Sequence, residues 1–136
     1  MKDVIDRATW RAILFQSDGA TRTFYEHLRE RRFQSTRCRA CGRLSFPPRP
    51  FCPRCGHGEV EWADLPREGR LHAFTQQQRA LRFFAPEVIG QVELPEVGFI
   101  LSRIDASFEA LRIDQPVTVD FYEISPELVV HQFRPV

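Results

Sequence analysis

Several features typical of enzymes and membrane proteins are missing from this sequence of 136 residues. No apolar run approaches the roughly 20 residues that span a bilayer. Three of the first six residues are charged, where a secretory signal would carry its apolar core. There is no G-x-S-x-G elbow, no phosphate-binding glycine loop and no H-E-x-x-H motif. We therefore expect a protein of the reducing cytoplasm, without membrane attachment, that carries no catalytic constellation of its own.

Lysine is almost absent, since all but one of the 19 basic residues are arginine. Arginine favours bidentate contacts with carboxylate or phosphate. The net charge of +1 conceals an asymmetry: residues 1–58 hold 12 basic against 5 acidic residues, and residues 59–136 hold 7 against 13. A nearly neutral chain gives no support to nucleic-acid binding. The positive half is expected to meet phosphate or an acidic protein surface.

Cysteine occurs at four positions only, in two C-x-x-C-G motifs on either side of a proline-rich span. Two facing turns of this kind present four thiolates in the tetrahedral arrangement that structural Zn²⁺ prefers. Disulfides would suit a secreted chain, and a thioredoxin-like site needs only one pair. We predict one structural zinc ion per chain, with His57 as an alternative ligand. The predicted ligands are Cys38, Cys41, Cys52 and Cys55.

A helical segment precedes the cysteine motifs. Apolar spacing predicts helices over residues 6–15 and 20–32, the second beginning with a capping box of Thr23 and Glu26. Two helices this small cannot bury a core alone, so they are expected to pack on the chain's own barrel or on a partner. The apolar face of the second helix carries Phe24, Tyr25 and Leu28.

Apolar strand patterns between turn residues predict five strands in the last part of the chain, with the clearest period-2 alternation in the fourth. They cover residues 71–77, 88–94, 97–104, 117–122 and 128–133. A short helical turn near residues 108–111 precedes the fourth strand. This order indicates a mainly β chain that ends in a five-stranded OB-fold barrel, with a five-stranded sandwich as the alternative. The predicted domains are a helical segment (1–33), a zinc ribbon (34–66) and the barrel (67–136).

The loop between the first two predicted strands is unusually apolar. It contains residue types that are enriched in the cores of protein interfaces. Such a loop fits either a plug of the barrel or an anchor for a partner, and both hypotheses stay open. The residues in question are Arg79, Arg82, Phe83 and Phe84.

Taken together, the motifs resemble a known family. The matching stretches are Phe24-Tyr25-Glu26-His27-Leu28, the two cysteine motifs, Phe46-Pro47-Pro48-Arg49, Gln91-Val92-Glu93-Leu94 and Val117-Thr118-Val119-Asp120-Phe121. They are similar to the zinc-ribbon OB-fold proteins, a domain of unknown function (type 35) associated with acyl-CoA metabolism. The resemblance covers residues 20–136. It implies a rubredoxin-like zinc ribbon with Cys38, Cys41, Cys52 and Cys55 as ligands, followed by an OB fold.

The resemblance also implies a function. Members are non-catalytic subunits that form hetero-oligomers with thiolase-superfamily enzymes (thiolases, aldolases or acyltransferases) and can help shape the path of a CoA thioester at the interface. On this hypothesis the partner surface includes Phe24, Leu28, Arg79, Arg82, Phe83 and Phe84. The alternative is a nucleic-acid-binding OB module, which the acidic charge of residues 59–136 opposes.

Overall fold

A computed structural model describes residues 19–78 and 87–136. In chain order the elements are α1 (Gly19–Arg29), β1 (Gln34–Cys38), β2 (Leu44–Ser45), β3 (Val60–Asp64), β4 (Glu68–Gln77), β5 (Glu87–Leu94), β6 (Gly98–Ile104), a 3-10 turn (Phe108–Ala110), β7 (Pro116–Ser125) and β8 (Leu128–Pro135). The predicted helix over residues 6–15 and the apolar loop over residues 79–86 lie outside the described residues. Within the described part, no helix has the length and apolar character needed to cross a membrane.

Helix α1 ends earlier than the apolar spacing predicts, at a cap formed by Arg31. This residue adopts φ +62°, and its N–H donates to the Leu28 carbonyl at 3.0 Å. The N–H of Arg32 donates to the His27 carbonyl at 2.9 Å, which completes a Schellman motif. The predicted capping box is wrong, because Thr23 lies inside the helix and its hydroxyl donates to the Gly19 carbonyl.

The cysteine-rich part forms a three-stranded antiparallel sheet in the order β2-β1-β3. Its central strand carries two buried hydroxyl residues, Ser35 and Thr36. Buried hydroxyls need hydrogen-bond partners. Ser35 donates to the Ser45 carbonyl, and the Thr36 hydroxyl accepts the N–H of Arg49 at 2.9 Å. These bonds fix the proline-rich connection against the sheet.

The five strands β4 to β8 close a barrel in the order β4-β5-β6-β8-β7. Strand β4 pairs with β7 to complete the circle, and β6 runs parallel to β8 at Arg103 and Ile104. The other neighbouring pairs are antiparallel. A closed barrel has no separate second sheet, so the OB-fold prediction is confirmed over the sandwich alternative.

One apolar core joins the helix, the ribbon and the barrel. Phe33, just before β1, is 1% exposed, and its ring centroid lies 6.1 Å from that of Phe133 on β8. Leu44 of β2 belongs to the same cluster. Phe24 and Leu28 are buried there too, at 5% and 0% exposure, so α1 packs on its own chain. This corrects their assignment to the partner surface, because neither side chain is presented to solvent.

Candidate metal centre and the ribbon–barrel junction

Each C-x-x-C-G motif folds into a tight turn that its glycine closes. The Gly42 N–H donates to the Cys38 carbonyl at 3.0 Å, and the Gly56 N–H donates to the Cys52 carbonyl at 2.9 Å. Both glycines have φ +78°, a left-handed conformation that residues with a side chain rarely adopt. The two turns therefore need glycine at these positions to hold their cysteines on one side of the backbone.

The two turns bring all four sulfurs together, within 4.8 Å of one another. Cys38 Sγ lies 3.6 Å from Cys55 Sγ, and Cys41 Sγ lies 3.6 Å from Cys52 Sγ. Thiolates about 2.3 Å from a shared tetrahedral zinc ion lie roughly 3.8 Å apart. The spacing fits that ion, and it is too long for disulfides, whose S–S bond is about 2.05 Å. His57 is not part of the cluster.

Backbone N–H groups point at the sulfurs and favour their ionised form. Cys38 Sγ accepts the N–H groups of Cys41 and Ala40, which lower the pKa of its thiol. The N–H of Cys55 is the main reason that the pKa of Cys52 falls to about 6. The N–H of His57 is the strongest single influence on Cys55 and lowers its pKa, but the neighbouring cysteine side chains, Cys38 first, together with burial outweigh it and raise that pKa to about 11. A bound dication would displace this last proton.

An arginine ties the first cysteine turn to the barrel. Arg37 Nη1 donates to the Gly42 carbonyl at 2.8 Å, and its Nη2 lies 3.6 Å from Glu96 Oε2. Glu96 occupies the turn between β5 and β6 with φ +66°. The link joins residues 59 positions apart, and no local pattern in the sequence indicates it.

His131 lies where the helix, the ribbon and the barrel meet. Its imidazole is surrounded by the rings of Phe24, Phe33 and Phe46, with centroid distances of 6.0–6.1 Å. Its Nδ1 lies 2.7 Å from the Ser102 hydroxyl oxygen. Burial lowers the pKa of His131 to about 4, so the ring is neutral at physiological pH. Ser102 is 6% exposed. The pair is therefore a satisfied core contact and not an accessible nucleophile with its base.

Two family models match the chain in the order that the fold suggests. The "ChsH2, rubredoxin-like zinc ribbon domain" matches residues 26–61, and the "ChsH2, C-terminal OB-fold domain" matches residues 62–122. The first covers both cysteine turns, and the second covers the barrel from the end of β3 into β7. The cysteine cluster thus lies in the part of the chain that matches a zinc-ribbon domain.

Several curated relatives are similar in sequence. The benzoylsuccinyl-CoA thiolase subunit BbsA of Thauera aromatica is 30% identical over 74% of each chain. A DUF35 domain-containing scaffold protein of Methanocaldococcus jannaschii is 31% identical over 76% of this chain and 77% of its own. A probable enoyl-CoA hydratase alpha subunit of Thermomonospora curvata is 30% identical over 82% of this chain. The chain spans only 36% of that subunit's length.

Solved structures share the fold. The Ltp2-ChsH2(DUF35) aldolase contains a chain that is 28% identical, with a TM-score of 0.78 over 88% of this chain and 96% of that one. A DUF35 protein of unknown function from Sulfolobus solfataricus is 14% identical with a TM-score of 0.62 and shows the fold alone. The chain belongs to the DUF35 family of ChsH2-type proteins, in which a rubredoxin-like zinc ribbon precedes an OB-fold domain.

Proposed function

We propose that this chain is a non-catalytic accessory subunit of a thiolase-superfamily enzyme that acts on an acyl-CoA or a related acyl substrate. The likeness to the ChsH2(DUF35) chain of an aldolase, over 88% of this chain, carries the proposal. A thiolase subunit and scaffold proteins among the sequence relatives support it. The proposed role is to support assembly with the catalytic subunit and handling of the CoA thioester at their interface.

The proposal assigns one structural Zn²⁺ per chain to the cysteine cluster. Four thiolates complete a tetrahedral set and leave no position for water or substrate, so the ion would hold the ribbon together and take no part in a reaction. The ligands would be Cys38, Cys41, Cys52 and Cys55, which the two turns already bring within 4.8 Å.

No exposed serine hydroxyl among the described residues is seen hydrogen-bonded to a histidine or a carboxylate, which supports a non-catalytic role. All four thiols lie in the proposed zinc site. The hydroxyl of Ser102 faces His131 but is buried. One relative is named as a subunit of an enoyl-CoA hydratase, but this chain spans only 36% of that subunit's length. We therefore do not propose hydratase activity for this chain. The acidic charge of residues 59–136 speaks against the nucleic-acid alternative.

The partner surface is proposed to include the apolar loop between β4 and β5. Its two arginines and two phenylalanines have the composition of an interface core. Because Phe24 and Leu28 are buried in the chain's own core, the proposal now leaves them out. The residues retained are Arg79, Arg82, Phe83 and Phe84.

Affinity purification of the tagged chain from its native host is the test of this function. We expect a thiolase-superfamily subunit to copurify at a fixed ratio and to stay bound through size-exclusion chromatography. The control is the Cys52→Ser variant, which should lose the subunit together with its zinc. Recovery of the wild-type chain alone, or with nucleic acid instead of such a subunit, would contradict the proposal.

A further inference from the structure

The ribbon carries four arginines whose charge is not neutralised within the described part of the chain. All four are exposed. The ion pairs that nearby arginines form involve Arg31, Arg32 and Arg37 instead. Two of the free guanidinium groups come from inside the C-x-x-C turns, and the other two come from the span between them. These residues are Arg39, Arg43, Arg49 and Arg54.

The surrounding charge does not offset these guanidinium groups. Residues 19–58 hold 9 basic and 2 acidic residues, a balance of +7. A zinc ion with four thiolates contributes a formal charge of −2, and Glu123 and Glu96 of the barrel pair with Arg31 and Arg37, so +3 remains. The nearby carboxylates of Glu59 and Glu61 are exposed and form no ion pair with the four arginines. An uncompensated patch of this kind attracts an acidic partner.

An exposed aromatic ring lies in the same stretch. Phe51, between the two cysteine turns, is 51% exposed. Its position is fixed, because it stands between Pro50 and the metal-cluster residue Cys52, whose N–H donates to the His57 carbonyl at 2.9 Å. A fixed aromatic residue among arginines is typical of an interface anchor, since little conformational entropy is lost on binding.

The arrangement fits carboxylates of a protein better than a phosphate group. Phosphate sites usually combine cationic side chains with free backbone N–H groups. In the first cysteine turn those N–H groups are already used, because Ala40 and Cys41 donate to Cys38 Sγ and Gly42 donates to the Cys38 carbonyl. The four arginines are also spread over both turns and the span between them. Separate carboxylates on a broad protein surface can each pair with one of them, whereas a single phosphate group cannot contact all four.

We infer that the ribbon tip, defined as Phe51 with Arg39, Arg43, Arg49 and Arg54, docks onto a carboxylate-rich surface of the catalytic subunit that has an apolar pocket for the Phe51 ring. The inference rests on the proposed function and adds the surface and its chemistry. The other side of the ribbon is occupied, since Leu44 is buried in the shared core and the Phe46 ring lies 5.6 Å from that of Phe24. The tip is therefore left free to bind.

Charge reversal provides the first test, with the full chain and the copurified catalytic subunit. Arg39→Glu/Arg54→Glu should weaken binding about 100-fold and flatten its salt dependence, because carboxylates would face carboxylates. The control is Arg112→Glu/Arg134→Glu, which reverses two exposed barrel charges and should change the Kd less than about 3-fold. Zinc content and circular dichroism confirm that each variant is folded.

A matched pair of aromatic variants tests the anchor. Phe51→Ala should weaken binding about 30-fold or more if its ring fills a pocket. Phe99 on β6 is exposed to the same degree, 53% against 51%, so Phe99→Ala is the control and should bind normally. A loss of binding in Phe99→Ala but not in Phe51→Ala would place the interface on the outer face of the barrel and overturn the inference.

Site-specific crosslinking gives a positive readout. Lys2 is the only lysine of the chain, so Arg54→Lys adds one amine that a carbodiimide can join to a carboxylate in direct contact. We expect a crosslink to the catalytic subunit in Arg54→Lys and none in the Arg112→Lys control. The wild-type complex could be stable while Arg54→Lys gives no crosslink and the charge-reversal variant binds normally. That result would refute docking through the ribbon tip and leave the proposed function standing. If no complex forms, both the docking inference and the proposed function fail.

Binding of ADP to the isolated chain is a separate test. Binding that is lost in Arg39→Glu/Arg54→Glu would overturn the docking inference and make the tip a phosphate-binding site.

Discussion

Replacement of Cys52 by serine is expected to remove the metal and unfold the ribbon. Cys52 is 1% exposed, and its sulfur lies 3.6 Å from that of Cys41. A structural zinc ion contributes about 10–16 kcal/mol of apparent binding free energy in small zinc domains, and much of it is folding free energy. The ribbon's other support is slight, since its short sheet buries few apolar side chains. We expect the zinc content to fall from about one per chain to near zero.

Hydrogen exchange measures the structural consequence of this substitution. The amides of β1 to β3 should lose protection in Cys52→Ser, and the melting temperature of the remainder should fall because Leu44 leaves the shared core. Pro53→Ala is the matched control, since it alters the same turn and keeps all four thiolates. Intact protection of β1 to β3 in a zinc-free Cys52→Ser protein would contradict the structural role of the metal.

The second large effect concerns stability in acid and arises from His131. The pKa of its imidazole is about 4 in the folded chain against 6.5 for an ordinary histidine. The unfolded chain therefore binds more protons between these values, and stability falls as the pH falls. The contribution of the neutral ring is fully present above pH 6.5 and is lost as the pH drops through 4. A difference of about 2.5 pKa units corresponds to roughly 3 kcal/mol.

Denaturant titrations of wild-type protein and His131→Phe between pH 7 and pH 4 test this effect. The variant keeps an aromatic ring in the cluster of Phe24, Phe33 and Phe46. The slope of its free energy of unfolding against pH should be smaller than that of the wild type, by the amount that corresponds to about one proton taken up on unfolding. Burial also raises the pKa of Glu87, but that group titrates in both proteins and cancels in the comparison. His72→Gln, at an exposed position, is the control. Equal slopes for all three proteins would contradict a His131 ring that the surrounding aromatic cluster keeps neutral.

Local patterns in the sequence predicted much of the fold. The C-x-x-C-G spacing predicted both turns, because a tight turn and a left-handed glycine are properties of five adjacent residues. Apolar strand patterns between turn residues predicted all five barrel strands, most clearly β7, where the inward residues Val117 and Val119 alternate with less buried ones. The predicted ends of the strands were less accurate. Strand β7 runs on to Ser125, because its pairing with β8 and not its own alternation sets its length.

Contacts between distant residues were not predictable from the same patterns. Nothing near Arg37 indicates Glu96, and nothing near His131 indicates Ser102 or the three surrounding phenylalanines. The placement of α1 is a similar case. Its apolar face with Phe24 and Leu28 was compatible with a partner or with the barrel, and only the folded core decided for the barrel. These contacts depend on how the barrel closes and not on residues adjacent in the chain.

Turnover measured with and without the catalytic subunit is the most direct test of an accessory role. Thiolysis, condensation or retro-aldol cleavage of acyl-CoA substrates is assayed with the purified chain, the purified partner and the reconstituted complex. The account predicts no turnover by the chain alone, because the thiols are assigned to the zinc site and Ser102 is buried, and full turnover only in the complex. Robust turnover by the chain alone, retained in Cys52→Ser and free of contaminating enzyme, would contradict it.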